Sequence, residues 1–200
     1  VIDPEPGRPD NRLNDAKIDV HGRIWAGTMN DVGKDPTGWL YRIDSDLSCS
    51  RWDGPYAVTN GPAISSDDRI LYHVDTHGRT VYAFDKHADG SIDRRRIFAK
   101  VGECEGKPDG LTVDTDGFVW VAHWGGGRIT RFAPDGTIDG VIEVPASQVT
   151  SCTFGGPNMD NLFITTASRN LDLDVYPEAG GLFCVKTSVR GFPSPKFVCN

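Results

Sequence analysis

The sequence lacks any long apolar run and any extended run of lysine or arginine. No stretch approaches the ~20 apolar residues that a membrane-spanning helix needs. The 28 acidic residues outnumber the 21 basic ones, which gives a formal charge of -7. Nucleic acids and anionic membrane surfaces are normally bound through basic patches. We therefore expect neither nucleic acid nor a membrane as a partner.

Cysteine is scarce as well, and its pattern excludes two kinds of small scaffold. The five residues are odd in number and widely spaced, with no CxxC pair: Cys49, Cys104, Cys152, Cys184 and Cys199. Neither a disulfide framework nor a zinc ribbon is indicated by such spacing. Free thiols in a reducing compartment are the expectation, which favours a cytoplasmic protein.

A sustained helical period is also missing, and short runs rich in Val, Ile, Phe, Tyr and Trp take its place. Turn sequences such as "PDGT" and "ADGS" separate these runs, which predicts an all-β chain. Four related segments recur at intervals of 46, 49 and 42 residues. They are "NDAKIDVHGRIWAG" from Asn14, "NGPAISSDDRILYH" from Asn60, "DGLTVDTDGFVWVA" from Asp109 and "SCTFGGPNMDNLFI" from Ser151.

Each repeated segment is followed by a third strand-like run, as in "TVYAFD", and then by a fourth, as in "RRIFAKV". Four strands repeated every ~45 residues are typical of a β-propeller blade. We therefore predict four four-stranded blades. An ordinary β-sandwich with chance similarity between hairpins is the alternative, although sandwiches rarely keep one register over four such units.

The repeat brings four oxygen-bearing side chains into equivalent positions, namely Asn14, Asn60, Asp109 and Ser151. The first strand of each propeller blade lines the central channel, so these residues are expected to form a ring. Amide and carboxylate oxygens suit Ca²⁺, Mg²⁺ or Mn²⁺, and carboxylates also bind Zn²⁺. Alternatively, Asn and Asp at the start of a strand satisfy only turn hydrogen bonds.

The stretch "HVDTH" alternates His73, Asp75 and His77, which could bind a transition metal if they share one strand face. We favour the alternative that these are the exposed polar residues expected where a strand ends. Asp75 is a candidate for the channel mouth.

"DTDG" lacks the later ligands of an EF-hand loop, so we interpret it as a hairpin turn with Asp116 at the corner.

Two further segments lie close to the ring positions. "HWGGGR" is not followed by a helical pattern, which argues against a phosphate-binding loop and favours close backbone packing at the channel rim. His123 and Trp124 would then flank a substrate. Cys152 is expected to be a buried structural thiol, since the repeat places no histidine beside it.

Several motifs resemble the SMP-30/gluconolactonase/regucalcin-like family of sugar lactonases, in order and at similar spacing. They include "RLNDAKID", "AGTM", "NGPAIS", "KPDGLTVD", "TSCTFGG" and "PEAGG", and the similarity extends from Asn11 to Val198. The resemblance implies a six-bladed propeller with one divalent cation in the channel, whether calcium, zinc, magnesium, manganese or iron. It also implies Asn60 and Asp109 as metal ligands, and Arg12 and Asn14 as contacts to sugar hydroxyls.

The third ligand of the family, a glutamate, belongs to a stretch that the 200 residues do not contain. Six blades need about 280 residues. We therefore expect residues 1 to 200 to form approximately blades 3 to 6, with the first two blades supplied by the rest of the polypeptide or by another chain. The sequence begins at Val1 and not at a methionine.

The implied activity is hydrolysis of a sugar lactone of the aldonolactone type. A divalent cation polarises a lactone carbonyl and acidifies water, and Asp109 would serve as ligand or as general base. Asn60 is neutral and could only bind the metal. Arg12 could instead pair with Asp10 or Asp15 on the surface. A non-enzymatic calcium-binding propeller and an interaction scaffold are the alternative functions.

Overall fold

The computed structural model describes residues 2–197, whose regular secondary structure is almost entirely β-strand. The fifteen strands are β1 Asn11–Ile18, β2 Ile24–Asn30, β3 Gly38–Ile43, β4 Cys49–Tyr56, β5 Thr59–Ile64, β6 Ile70–Asp75, β7 Thr80–Lys86, β8 Ile92–Lys100, β9 Lys107–Val113, β10 Val119–Trp124, β11 Arg128–Phe132, β12 Ile138–Glu143, β13 Val149–Gly155, β14 Asn161–Thr166 and β15 Leu182–Lys186. A single 3₁₀ turn, Glu103–Glu105, precedes β9. Within residues 2–197 no helix is long and apolar enough to cross a bilayer.

The strands form four antiparallel sheets, each built from strands that are consecutive in the chain. Their orders are β1-β2-β3-β4, β5-β6-β7-β8, β9-β10-β11-β12 and β13-β14-β15, which we call blades 1 to 4. The first strands β1, β5, β9 and β13 lie side by side, each against the next. Sheets that share an inner row of first strands in this way form a β-propeller, which confirms the predicted fold class.

The prediction of four strands per blade is correct for blades 1 to 3 and differs for blade 4. In the described part of the chain, blade 4 has only β13, β14 and β15. Residues 167–181 connect β14 to β15 without adding a strand, and no strand follows Lys186 up to residue 197. The number of blades in the complete ring stays a prediction.

The hydrophobic core consists of three clusters, one between each pair of successive blades. Trp25 and Leu71 pack between blades 1 and 2, Val74 and Val121 between blades 2 and 3, and Trp120 and Leu162 between blades 3 and 4. Since a blade packs on both faces, its inner strands are buried almost continuously, as in β5 and in most of β2. Alternation of polar and apolar residues is therefore weak in these strands.

The cysteines behave as expected wherever the structure describes them. Cys49, Cys104, Cys152 and Cys184 are free thiols, whereas Cys199 falls outside residues 2–197. Cys152 belongs to the cluster between blades 3 and 4, and burial raises its thiol pKa to about 12. The prediction of a buried structural thiol is confirmed for Cys152, because such a group remains protonated near neutral pH.

Candidate active site

The pairing of first and second strands is interrupted at the same level in all four blades. The register shifts lie between Leu13 and Ala16, Asn60 and Ala63, Val121 and His123, and Val149 and Ser151. Such irregularities bend a strand and redirect its side chains. Asn14, Asn60 and Ser151 lie in or beside their shifts, and Asp109 lies opposite the one in β10. The ladder is therefore irregular at or beside every predicted ring position, although Asn60 and Ser151 keep their pairing with Val74 and Thr165.

The four predicted ring residues line one open cavity of about 680 Å³ at this end of the inner strands. Close contact between β9 and β13 helps to assemble it. A Cβ atom added at Gly110 would lie 2.3 Å from Ser151 Oγ, so only glycine at position 110 allows β9 to approach Ser151 of β13 so closely. The structure thus brings Asn14, Asn60, Asp109 and Ser151 together, as the repeat predicts.

A chain of hydrogen bonds fixes the polar side chains contributed by blades 1 and 2. Arg12 Nη1 donates to Asn14 Oδ1 at 2.9 Å, and Asn14 Nδ2 donates to Asn60 Oδ1 at 2.9 Å. Asn60 Nδ2 in turn donates to Thr76 Oγ1 at 2.9 Å. Because Thr76 holds the amide nitrogen, the amide oxygen of Asn60 is directed towards Asn14.

Arg12 also forms an ion pair, but with neither of the partners considered from the sequence. Its Nε donates to Asp31 Oδ1 at 2.7 Å, and both side chains are largely exposed. Asp31 itself lines the cavity, in the connection between β2 and β3. The pair orients the guanidinium at the cavity, and Nη2 makes no hydrogen bond within residues 2–197 that would compete with a ligand.

Two carboxyl groups share the cavity without a basic partner. Burial, and to a smaller extent the charge of Asp15, raise the pKa of Asp109 to about 8, although the backbone N–H of Gly110 partly opposes them. Burial also raises the pKa of Asp15 above its ordinary value. In the part of the chain that the structure describes, neither group takes part in an ion pair. Burial therefore disfavours the charged form of both carboxyl groups, and no ion pair within residues 2–197 compensates for it.

This donor set fits a hard divalent cation better than a transition metal. The four ring positions offer carboxylate, amide and hydroxyl oxygens, which Ca²⁺, Mg²⁺ and Mn²⁺ prefer. Within residues 2–197 no three His, Cys, Asp or Glu side chains are grouped so that they alone could hold a metal. Asn60 would have to contribute, and a cation would stabilise the charged form of Asp109, which burial and then the charge of Asp15 disfavour.

Of the two candidates at the channel rim, the structure brings only Trp124 to the cavity. His123 is 1% exposed, and its Nδ1 lies 2.8 Å from the carbonyl oxygen of Glu105. Neighbouring residues of a strand point to opposite faces, so the two side chains separate. His123 packs inside the blade and does not flank the cavity.

The alternating residues of "HVDTH" do not share one face. His73 is fully buried and packs edge-on against Tyr56, with ring centroids 5.2 Å apart. Asp75 accepts a hydrogen bond from Gly78 N at 2.8 Å and so stabilises the turn after β6. Only His77 lines the cavity, from that same turn. Asp75 is therefore a turn residue close to the mouth and does not line the cavity.

Sequence reasoning did not select four charged residues that line this cavity: Asp15, Asp31, Lys107 and Arg169. Strand alternation would place Asp15 on the face opposite Asn14. The register shift between Leu13 and Ala16 removes that constraint, so both side chains reach the cavity. The only sequence signal for Asp15 was its position directly after a ring residue.

Comparison with known proteins gives a consistent family. The family model described as "SMP-30/Gluconolactonase/LRE-like region" matches residues 1–168. Regucalcin of Danio rerio is 38% identical over 194 residues, which cover 93% of this chain and 66% of the relative. Pentonolactonase XacC of Haloferax volcanii is 35% identical over 192 residues, covering 91% of this chain and 65% of the relative.

Among solved structures, one described as a calcium-binding protein, regucalcin, from Agrobacterium tumefaciens superposes with a TM-score of 0.89 at 27% identity. The match covers 94% of this chain and 65% of the solved chain. The 200 residues thus span about two thirds of the length of the curated relatives that they match.

Proposed function

The chain belongs to the SMP-30/gluconolactonase/LRE-like family, and we propose that it forms the catalytic part of a divalent-metal-dependent sugar lactonase. Relatives with lactonase names support lactone hydrolysis in general. The observation that carries the metal-dependent form is the pair of unpaired carboxyl groups, Asp109 and Asp15, in one polar cavity. Such a pair is expected where a cation completes the site.

In this proposal Asn60 and Asp109 bind the cation through their side-chain oxygens. Thr76 holds the Asn60 amide in the required orientation, since it accepts a hydrogen bond from the amide nitrogen. The resemblance supplies a third ligand, a glutamate, from a part of the family sequence outside these 200 residues. When bound, the cation would polarise the lactone carbonyl and lower the pKa of water.

The side chains of the cavity would also bind the sugar and accept the proton of the attacking water. Arg12 presents a planar fork of donors, held by Asp31 and Asn14, that matches vicinal hydroxyls. Asn14 contributes a second polar contact at the same wall. The attacking water must lose a proton, and a nearby carboxylate can accept it. Asp109 would take this role through an oxygen lone pair that the cation does not occupy.

Calcium binding without catalysis is the second candidate function. It is favoured by one observation, the solved relative described as a calcium-binding protein. In that case the same residues would bind Ca²⁺, but no lactone would be opened. The two functions differ in turnover and not in metal affinity.

Hydrolysis of glucono-δ-lactone by purified, metal-stripped protein tests the proposal. The intact mass of the sample is recorded first, so that the polypeptide assayed is defined. We expect no turnover after chelation and recovery when Ca²⁺, Mn²⁺ or Zn²⁺ is added back. The Asp109→Ala variant should lose about 10²–10⁴-fold in rate and should no longer bind the metal.

Asp116→Ala is the matched control, because Asp116 occupies the turn at the other end of the same strand. Its rate should stay close to that of the unmodified protein. Metal binding without turnover in any metal would reject the lactonase proposal in favour of the calcium-binding one. Turnover that survives chelation would reject the role of the metal.

A further inference from the structure

One wall of the cavity, between blades 3 and 4, carries two basic side chains, Lys107 and Arg169. Lys107 pairs with Trp124 across β9 and β10, and Trp124 bridges to Gln148. Gln148 Nε2 donates to the carbonyl oxygen of Arg169 at 2.8 Å. The four residues, Lys107, Trp124, Gln148 and Arg169, thus form one continuous surface, which we call the basic wall.

Neither cation of the basic wall is neutralised by the protein. Within residues 2–197, Lys107 and Arg169 form no ion pair, whereas Arg12 in the same cavity is paired with Asp31. The positive charge of Lys107 reaches its neighbour His77, whose pKa is lowered by burial and then by Lys107. The basic wall therefore presents uncompensated positive charge to the cavity.

A bound divalent cation would leave this charge in excess. Such a cation would offset the two carboxylates Asp15 and Asp109, and the pair of Arg12 and Asp31 is already neutral. Lys107 and Arg169 would then remain unbalanced. Even with the third ligand implied by the family, a glutamate, the part of the cavity that residues 2–197 form would keep a net positive charge, which favours an anionic ligand.

The position of the basic wall suits one end of a bound sugar. Lys107 and Asp109 are two residues apart in β9 and both are partly exposed, whereas Pro108 and Gly110 are buried. Alternate residues of a strand lie on one face, about 7 Å apart. A hexose lactone whose carbonyl lies near Asp109 would therefore place its far carbon near Lys107.

From these observations we infer that the basic wall is a subsite for an anionic group, and that the preferred lactone carries a phosphate, sulfonate or carboxylate at the end distant from its carbonyl. The substrate class rests on the proposed lactonase function. Anion binding does not rest on it, since it depends only on Lys107 and Arg169.

Binding of two unreactive polyols, glucitol 6-phosphate and glucitol, tests the subsite by calorimetry with Mn²⁺ present. We expect the phosphorylated polyol to bind at least about tenfold more tightly, because charge-assisted hydrogen bonds are the stronger ones. The preference should decline as salt is added. Arg169→Gln should reduce it, and Lys107→Gln with Arg169→Gln should remove it.

Lys34→Gln is the matched control, because it removes the same charge. Lys34 is exposed at the same end of the molecule and does not line the cavity. This variant should keep the preference. Equal binding of the two polyols by the unmodified protein would overturn the inference, and so would a preference that survives the double substitution. Because Arg169 is exposed, its single variant still tests the subsite if the double variant fails to fold.

Parallel rates with gluconolactone and 6-phosphogluconolactone separate this inference from the proposed function. Turnover of both lactones at similar kcat/KM would reject the subsite and leave the lactonase intact. Selective binding of glucitol 6-phosphate without turnover of either lactone would support the subsite and reject the lactonase.

Discussion

The two ends of strand β9 carry aspartates in opposite environments. Asp114, just beyond the strand, is fully buried and accepts five hydrogen bonds. The donors are the backbone of Asp116 and Phe118, the Trp120 indole and two nitrogens of Arg131. Asp109, near the start of the strand, receives only the backbone N–H of Gly110. One carboxylate is fully satisfied by the protein, whereas the other has a single backbone donor within residues 2–197 and faces the cavity.

The same arrangement as at Asp114 recurs in blade 1, which shows that it is structural. Asp19 accepts hydrogen bonds from Arg23 Nε at 2.7 Å and from Trp25 Nε1 at 3.3 Å, six residues further on. Asp114 and Trp120 have that same spacing. Blade 2 has Ser65 at this point, and its Oγ accepts from Ile70 N at 2.9 Å. Asp109 has no such network, so the contrast separates structure from function within one strand.

Breaking the satisfied carboxylate should have the largest effect on the fold. Asp114→Ala leaves the Trp120 indole and two backbone N–H groups of the turn without their acceptor, so we expect a loss of ~3 kcal/mol in the free energy of unfolding. Arg131 also loses one carboxylate partner but keeps the other, Asp139. Asp109→Asn should leave that free energy unchanged or raise it in metal-free protein, because it removes a carboxyl group that the fold must keep protonated well above its ordinary pKa. Urea unfolding of both variants measures the contrast. Equal destabilisation by the two changes would show that Asp109 is also structural.

The raised pKa of Asp109 predicts a pH-dependent metal affinity. The folded, metal-free protein keeps the proton up to about pH 8, and a metal must displace it. The affinity for Mn²⁺ should therefore rise about tenfold per pH unit between pH 6 and 8 and level off above. Calorimetry in buffers of different ionisation enthalpy would report the released proton. An affinity independent of pH below 8 would contradict the role of Asp109.

The raised pKa of Asp109 also determines how the free energy of unfolding of the metal-free protein changes with pH. The unfolded chain releases the Asp109 proton above its ordinary value of 3.8, whereas the folded protein retains it. Because the folded state binds more protons in this window, this group makes the free energy of unfolding decrease from about pH 4 to pH 8. Saturation with Mn²⁺ should reverse that trend near pH 8.

A smaller effect would sharpen the comparison further. Asp15→Asn removes the second cause of the Asp109 shift, so the pKa of Asp109 should fall but stay above its ordinary value, since burial is the larger cause. NMR titration of the Asp109 carboxyl carbon in metal-free protein measures this. Asp31→Asn, in the same cavity but paired with Arg12, is the control and should leave that pKa in place. A rise in the Asp15→Asn variant would exclude repulsion between the two carboxylates.

The fold class and the ring positions could be predicted from the sequence alone. The repeat at Asn14, Asn60, Asp109 and Ser151 predicted a common axis, and the four residues do line one cavity. That inference succeeded because blade period and strand order are properties of the chain that survive any detail of packing. Assignment of the metal and sugar roles to these residues stays a prediction.

Which neighbours of the ring positions reach the cavity could be seen only in the three-dimensional structure. Interrupted ladders bring Asp15 in beside Asn14, and the connections between strands contribute Asp31 and Arg169, whereas His123 packs inside its blade. Bulges and connections depend on contacts between residues far apart in sequence, and no local pattern encodes these contacts. The charge that surrounds the candidate site was therefore set by packing between blades and not by the repeat.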